Sequence, residues 1–180
     1  MQKLRIRASL VAGLAIASLL YAGSWVEADS NGHRVKARLT GFNEVPAISS
    51  TGSGEWSAKI REDAVDWELS YEGLEGAVTT APHIHFGQKD VNGGVSVFFC
   101  GGGGRPDCTP GSGTFSGTFT AADVGGPAGQ GIAAAEFAEL VAAIRAGKTY
   151  VNVHTNKHPG GEIRGQVGRD RDDHDDDDND

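Results

Sequence analysis

The chain of 180 residues holds one methionine and two cysteines, and only 7 % of it is aromatic. No apolar run reaches the roughly 20 residues that cross a bilayer as a helix; the longest uncharged apolar stretch, residues 8–22, is 15 residues long. No cysteine follows that stretch where a lipid could be attached, which argues against a lipoprotein. Serines and threonines are plentiful, but none sits in a G-x-S-x-G elbow, and no phosphate-binding glycine loop follows a strand. Glycine has no Gly-X-Y period, which excludes collagen, and no acidic run carries the glycine and spaced ligands of an EF-hand loop.

Glycine is what the chain has in excess, 27 residues or about twice average usage, a composition of many turns and short strands. The formal charge of −8 suggests at first a protein that repels nucleic acid. Most of that charge is local. Residues 170–180 hold eight Asp, offset by Arg169 and Arg171, and read as a solvated acidic tail beyond the fold; His174 within it changes nothing. At the other end Lys3, Arg5 and Arg7 precede the apolar stretch, and Val26 and Ala28 stand at the −3 and −1 positions of a cleavage site. Residues 1–28 are therefore expected to be a secretory signal peptide, and the mature chain to be secreted or periplasmic, with no membrane association after cleavage. Residues 29–34 read as a linker and 35–168 as a single domain, mildly acidic, with no nucleic-acid partner expected.

Alternation of apolar and polar residues marks the strands of that domain. Val35, Ala37 and Leu39 alternate with polar neighbours, as do Trp56, Ala58 and Ile60, then Val65, Trp67, Leu69 and Tyr71. Further strands are expected over residues 79–86, 94–99, 113–120, 150–154 and 162–167, with turn residues between most of them. About eight short strands at this spacing predict an all-β, antiparallel sandwich or barrel. Phe137, Leu140, Val141 and Ile144 follow helical spacing instead, and Gly147 is placed to end one short amphipathic helix. The run from Thr120 to Gly131 is expected as a surface loop. A chain of about 140 residues buries enough surface to need no disulfide framework. In an oxidising compartment Cys100 and Cys108 are expected to pair, with a metal or redox role as the sharper alternative.

Four of the six histidines fall in two short clusters. His83 and His85 stand at i and i+2 of one strand, so both project from the face opposite Ile84. On the later strand Val151 and Val153 share the apolar face, which puts Asn152 and His154 on the other. If the two strands are neighbours, three imidazoles converge, and His158 in the following turn is a candidate fourth ligand. Convergent nitrogens without carboxylates favour copper or zinc over calcium or magnesium. The alternative is that these histidines only hydrogen-bond their neighbours and cap turns. On the last strand Glu162 and Arg164 share a face and are expected to pair with each other, unless Arg164 offers its charge to an anion near the histidines.

Three ordered strings resemble the CHRD domain, first described in chordin: Leu39-Thr40-Gly41-Phe42-Asn43-Glu44-Val45-Pro46, Ala81-Pro82-His83-Ile84-His85, and a third that runs from Gly147 through His154 to His158-Pro159-Gly160-Gly161-Glu162-Ile163-Arg164-Gly165-Gln166. The resemblance implies an immunoglobulin-like β-sandwich and an exported binding module, with another extracellular protein as a partner class. The loop between Cys100 and Cys108 stands outside the pattern as an insertion. A more distant likeness is to copper/zinc superoxide dismutase, also a Greek-key sandwich. It rests on His83-Ile84-His85-Phe86-Gly87, the cysteine loop after it, Val153-His154 and Arg164. That likeness implies His83, His85 and His154 as copper ligands and Arg164 as a charge that steers anions. No histidine lies between His85 and Tyr150 to bridge copper to zinc, so a zinc site of that type is not expected. Three functions follow: a copper-binding module, a copper-only dismutase, or a metal-free adhesion or protein-interaction domain.

Overall fold

The computed structural model describes residues 33–170. The signal peptide expected at 1–28, the linker up to residue 32 and the Asp-rich run from residue 171 lie outside the described residues. Arg34, placed in the linker by sequence, opens the first strand, and Arg169, placed in the tail, pairs in the last.

Nine strands and one helix follow in chain order: β1 (Arg34–Thr40), β2 (Ser53–Ile60), β3 (Ala64–Glu72), β4 (His83–Phe86), β5 (Gly94–Phe98), β6 (Gly113–Thr120), α1 (Phe137–Arg145), β7 (Thr149–Val153), β8 (Ile163–Gln166) and β9 (Gly168–Arg169). All eight expected strands form. The strand expected over 79–86 is shorter, with Thr79 held only by an isolated bridge to Thr155, and the two-residue β9 adds to the expected set. Hydrogen bonding follows one antiparallel path, β5-β4-β7-β8-β1-β2-β3-β6, with β9 against β1. The path is continuous because Thr40 of β1 pairs with Arg164 of β8; it is one nearly closed sheet rather than two separate ones.

Its two halves share one core. Ile84, Val97, Val151, Val153 and Ile163 from one half meet Leu39, Trp56, Val65, Trp67, Leu69 and Phe119 from the other. Phe99, just past β5, links them, its ring 4.5 Å from that of Trp67 and 6.1 Å from that of Trp56. Helix α1 forms at the expected place, because its stripe of Leu140, Val141 and Ile144 is buried in this core and Gly147 ends it at a φ of +65°. The run from Thr120 to Gly131, expected as a surface loop, is more structured. Thr120 and Asp123 form a capping box, and Val124 is buried.

The halves differ in their outer faces, and that difference makes the site. Strands β1, β2 and β3 alternate buried and exposed residues, leaving a polar face to solvent. Strands β4, β7 and β8 are buried on both faces almost throughout, so their outward polar residues need a cover and hydrogen-bond partners. Loops supply both. Residues 41–48, 87–93 and 154–161 close over the outer face of β4, β7 and β8, tied together in part by Asn92, whose Nδ2 donates to Val45 O at 3.1 Å.

Candidate metal centre

Strand parity puts the side chains in place. β4 and β7 are direct neighbours, with His83 opposite Asn152 and His85 opposite Tyr150, and β7 pairs with β8 so that Asn152 lies opposite Arg164. His83, His85, Tyr150, Asn152 and Arg164 therefore project from one face, while Ile84, Val151 and Val153 fill the core on the other. His154, one residue past the end of β7, continues that face.

Three of the four expected histidines come together. One ring nitrogen each from His83, His85 and His154 lies within 4.8 Å of the others. The ring of His83 is 4.4 Å from that of His85 and 4.5 Å from that of His154. His158 is not in that group; it sits in the turn after β7, where its backbone N–H donates to Thr155 Oγ1 at 3.2 Å. Backbone carbonyls orient two of the three rings. His85 Nδ1 donates to Gly93 O at 2.8 Å and His154 Nδ1 to Pro159 O at 2.9 Å, and since a carbonyl only accepts, each Nε2 keeps a lone pair. His85 Nε2, His154 Nε2 and His83 Nδ1 are buried without a hydrogen-bond partner.

The electrostatics keep the trio neutral. Burial, reinforced by His85 and His154, drives His83 down to about 2. Burial also takes His85 down to about 4, against the opposing hydrogen bond to Gly93 and with Arg164 adding to the effect, and it lowers His154. His83 and His85, both buried, and the half-buried His154 are unprotonated, and their facing nitrogens fit a transition metal. Metal–nitrogen bonds of about 2 Å would ask only a modest contraction of the cluster, and an all-nitrogen donor set favours copper or zinc.

Around the histidines lies a second layer, in which the sequence had singled out Arg164 but neither Tyr150 nor Glu44. The Tyr150 ring stacks on His85 at 4.6 Å and 5°, and the Arg164 guanidinium lies 3.5 Å from the centre of the Tyr150 ring. Arg164, only 2 % exposed, donates to Asn92 Oδ1, Gln88 O and Val91 O at 3.1, 3.3 and 2.8 Å. Glu44 is buried beside Asn152, whose Nδ2 donates to it at 3.3 Å. Desolvation pushes Glu44 up to about 7 despite the opposing charge of Arg164. Gly161, at a φ of +129°, makes room for this contact, since a Cβ there would stand 2.5 Å from Glu44 Oε1 and 2.6 Å from Asn152 Oδ1.

The expected pairing of Glu162 with Arg164 does not form. Although they share a strand face by parity, the two side chains serve different segments. Glu162 is fully buried and accepts from Ser50 Oγ, Glu75 N, Gly76 N and Thr155 Oγ1 at 2.7, 2.6, 3.3 and 2.6 Å. Four donors outweigh desolvation and hold its carboxyl below the ordinary range. Cys100 and Cys108 do pair, and the loop they close packs close to the site. A side chain at Gly101 would overlap the Thr80 carbonyl oxygen, while Gly102 and Gly103 lie against Phe98, whose ring meets that of His83 edge-on at 5.0 Å.

What the fold and site define is a small all-β module with one disulfide and a histidine cluster buried under its loops. Residues 35–167 match the family model of the CHRD domain, and the chain belongs to that family. No curated protein and no solved structure matches the chain. CHRD domains are extracellular modules, and among the described residues no helix is long and apolar enough to cross a membrane.

Proposed function

We propose that the chain is an exported CHRD-domain binding module, secreted or periplasmic, that holds a transition metal, copper by preference, on His83, His85 and His154. The observation that carries the reading is the three buried ring nitrogens left without partners at one point, because a buried polar atom with no partner is costly and a metal ion removes that cost. The chemistry a copper ion would supply is a Lewis-acidic or one-electron centre. The chain's own contribution is to fix the tautomers through Gly93 and Pro159 and to exclude water. Isothermal titration of the mature domain with Cu⁺ and Cu²⁺ tests it: His83→Ala/His85→Ala abolishes binding, and an unchanged affinity in that variant overturns the reading.

A copper-only dismutase is the enzymatic alternative. It asks Arg164 to meet incoming anions, whereas this guanidinium is buried and committed to three loop oxygens, so binding without turnover is preferred. A metal-free adhesion or protein-interaction module predicts the same melting temperature with and without metal, since a ligand that binds only the native state raises it. The disulfide and the family support an extracellular setting for either binding role.

A further inference from the structure

We infer that the histidine site selects monovalent copper, and that Arg164 is the residue that sets this preference; the inference rests on the copper reading above. Imidazole alone does not choose between the oxidation states of copper, so the choice falls to the surroundings. Three neutral rings bring no negative charge to offset the ion, and all three are largely withdrawn from water. To this Arg164 adds a buried positive charge. Its hydrogen-bond acceptors, Asn92 Oδ1, Gln88 O and Val91 O, are all uncharged, and they hold the guanidinium in place over Tyr150.

The distance is short enough to matter. The guanidinium is 3.5 Å from the Tyr150 ring centre and that ring is 4.6 Å from the His85 ring, which puts the charge no more than about 8 Å from His85. At an effective dielectric of about 20 and a separation of roughly 8 to 11 Å, each added unit of metal charge is disfavoured about ten- to thirty-fold. Divalent copper and zinc bear that penalty twice, monovalent copper once. The acid that faces Arg164 is Glu44, beside Asn152, and below its value of about 7 it is mainly protonated and compensates little. Arg164 is thus a specificity-determining residue that touches no metal.

The test is a pair of chelator competitions on the mature domain at pH 6, one for Cu⁺ and one for Cu²⁺, with Zn²⁺ as a third ion. The parent domain binds Cu⁺ more tightly than Cu²⁺ or Zn²⁺. Arg164→Gln lowers the Cu⁺-to-Cu²⁺ affinity ratio about ten- to thirty-fold, while Arg164→Lys, which keeps the charge but not the fork of hydrogen bonds, stays within about threefold of the parent. The proposal is overturned if the parent binds Cu²⁺ or Zn²⁺ at least as tightly as Cu⁺, a result that needs no variant to fold. It is equally overturned if a folded Arg164→Gln domain keeps the parent ratio to within about threefold. Binding of neither copper ion removes the metal site itself, and is distinguishable from a site that binds copper without preference.

Discussion

Replacing Glu162 by Gln should destabilise the domain by about 2 to 4 kcal/mol at pH 7, and the size of the loss should depend on pH. Each carboxylate oxygen faces one hydroxyl and one backbone N–H: Ser50 and Glu75 at Oε1, Thr155 and Gly76 at Oε2. The Gln amide nitrogen must take one of these places. A hydroxyl can turn to accept from it, whereas a backbone N–H cannot. The less costly arrangement abandons Gly76 N, the longest contact at 3.3 Å, and leaves that N–H buried without an acceptor, at about 1 to 3 kcal/mol. The three remaining bonds lose their charge assistance, roughly 0.5 to 1 kcal/mol each, and relief of the desolvated charge offsets part of the sum. The carboxyl is held below its ordinary range in the folded state. Its contribution is therefore complete above the unfolded value near 4.3 and is lost as the pH falls through the folded value. Urea unfolding of parent and variant from pH 7 to pH 3 reads the difference directly, and Glu44, present in both, cancels. A gap under about 1 kcal/mol at pH 7, or one that does not narrow by pH 3, would refute the four-donor account.

Glu44 carries the opposite sign. Its folded value is raised to about 7, so its protonated form stabilises at low pH and that contribution fades as the pH rises from about 4.5 through 7; the loss is of the order of 3 kcal/mol, and a Glu44→Gln domain should show a flatter pH–stability curve over that window. Replacing both Cys100 and Cys108 by Ser opens the short loop and should lower stability by about 2.5 kcal/mol in urea. The same change frees Phe98 against His83, so copper affinity in the chelator assay should fall with it. Leu69→Ala, at a fully buried core position, should cost about 2 to 5 kcal/mol, read as a lower denaturant midpoint at unchanged slope. Gly161→Ala forces a side chain between Glu44 and Asn152 in a backbone conformation that L-residues avoid, and should destabilise by more than about 1 kcal/mol in the same assay.

The sequence by itself determined the strands, the helix and which faces they present. Period-2 alternation is a local property, so residues 53–60 and 64–72 can be read without knowing their neighbours, and the same parity already sets His83, His85, Asn152 and His154 opposite the core valines and Ile84. Tyr150 shares that parity, yet nothing in the sequence marked it as a site residue; only the structure sets its ring between His85 and Arg164. The pairing of Cys100 with Cys108 was legible for another reason: these are the chain's two cysteines, and in the oxidising compartment expected for it they pair with each other.

Tertiary structure decided everything that depends on which segments cover that face. Parity put Glu162 and Arg164 on one side of one strand, yet the loops that reach each of them come from far along the chain. Ser50, Glu75 and Gly76 supply donors to the carboxylate, while Gln88, Val91 and Asn92 accept from the guanidinium. Those partners are largely backbone groups, which every residue type carries, so no pattern of side chains announces them. Sequence could say that three histidines point the same way. Only the direct pairing of β4 with β7, and the loops closed over them, brings their nitrogens to one point and removes the water that would otherwise have satisfied them.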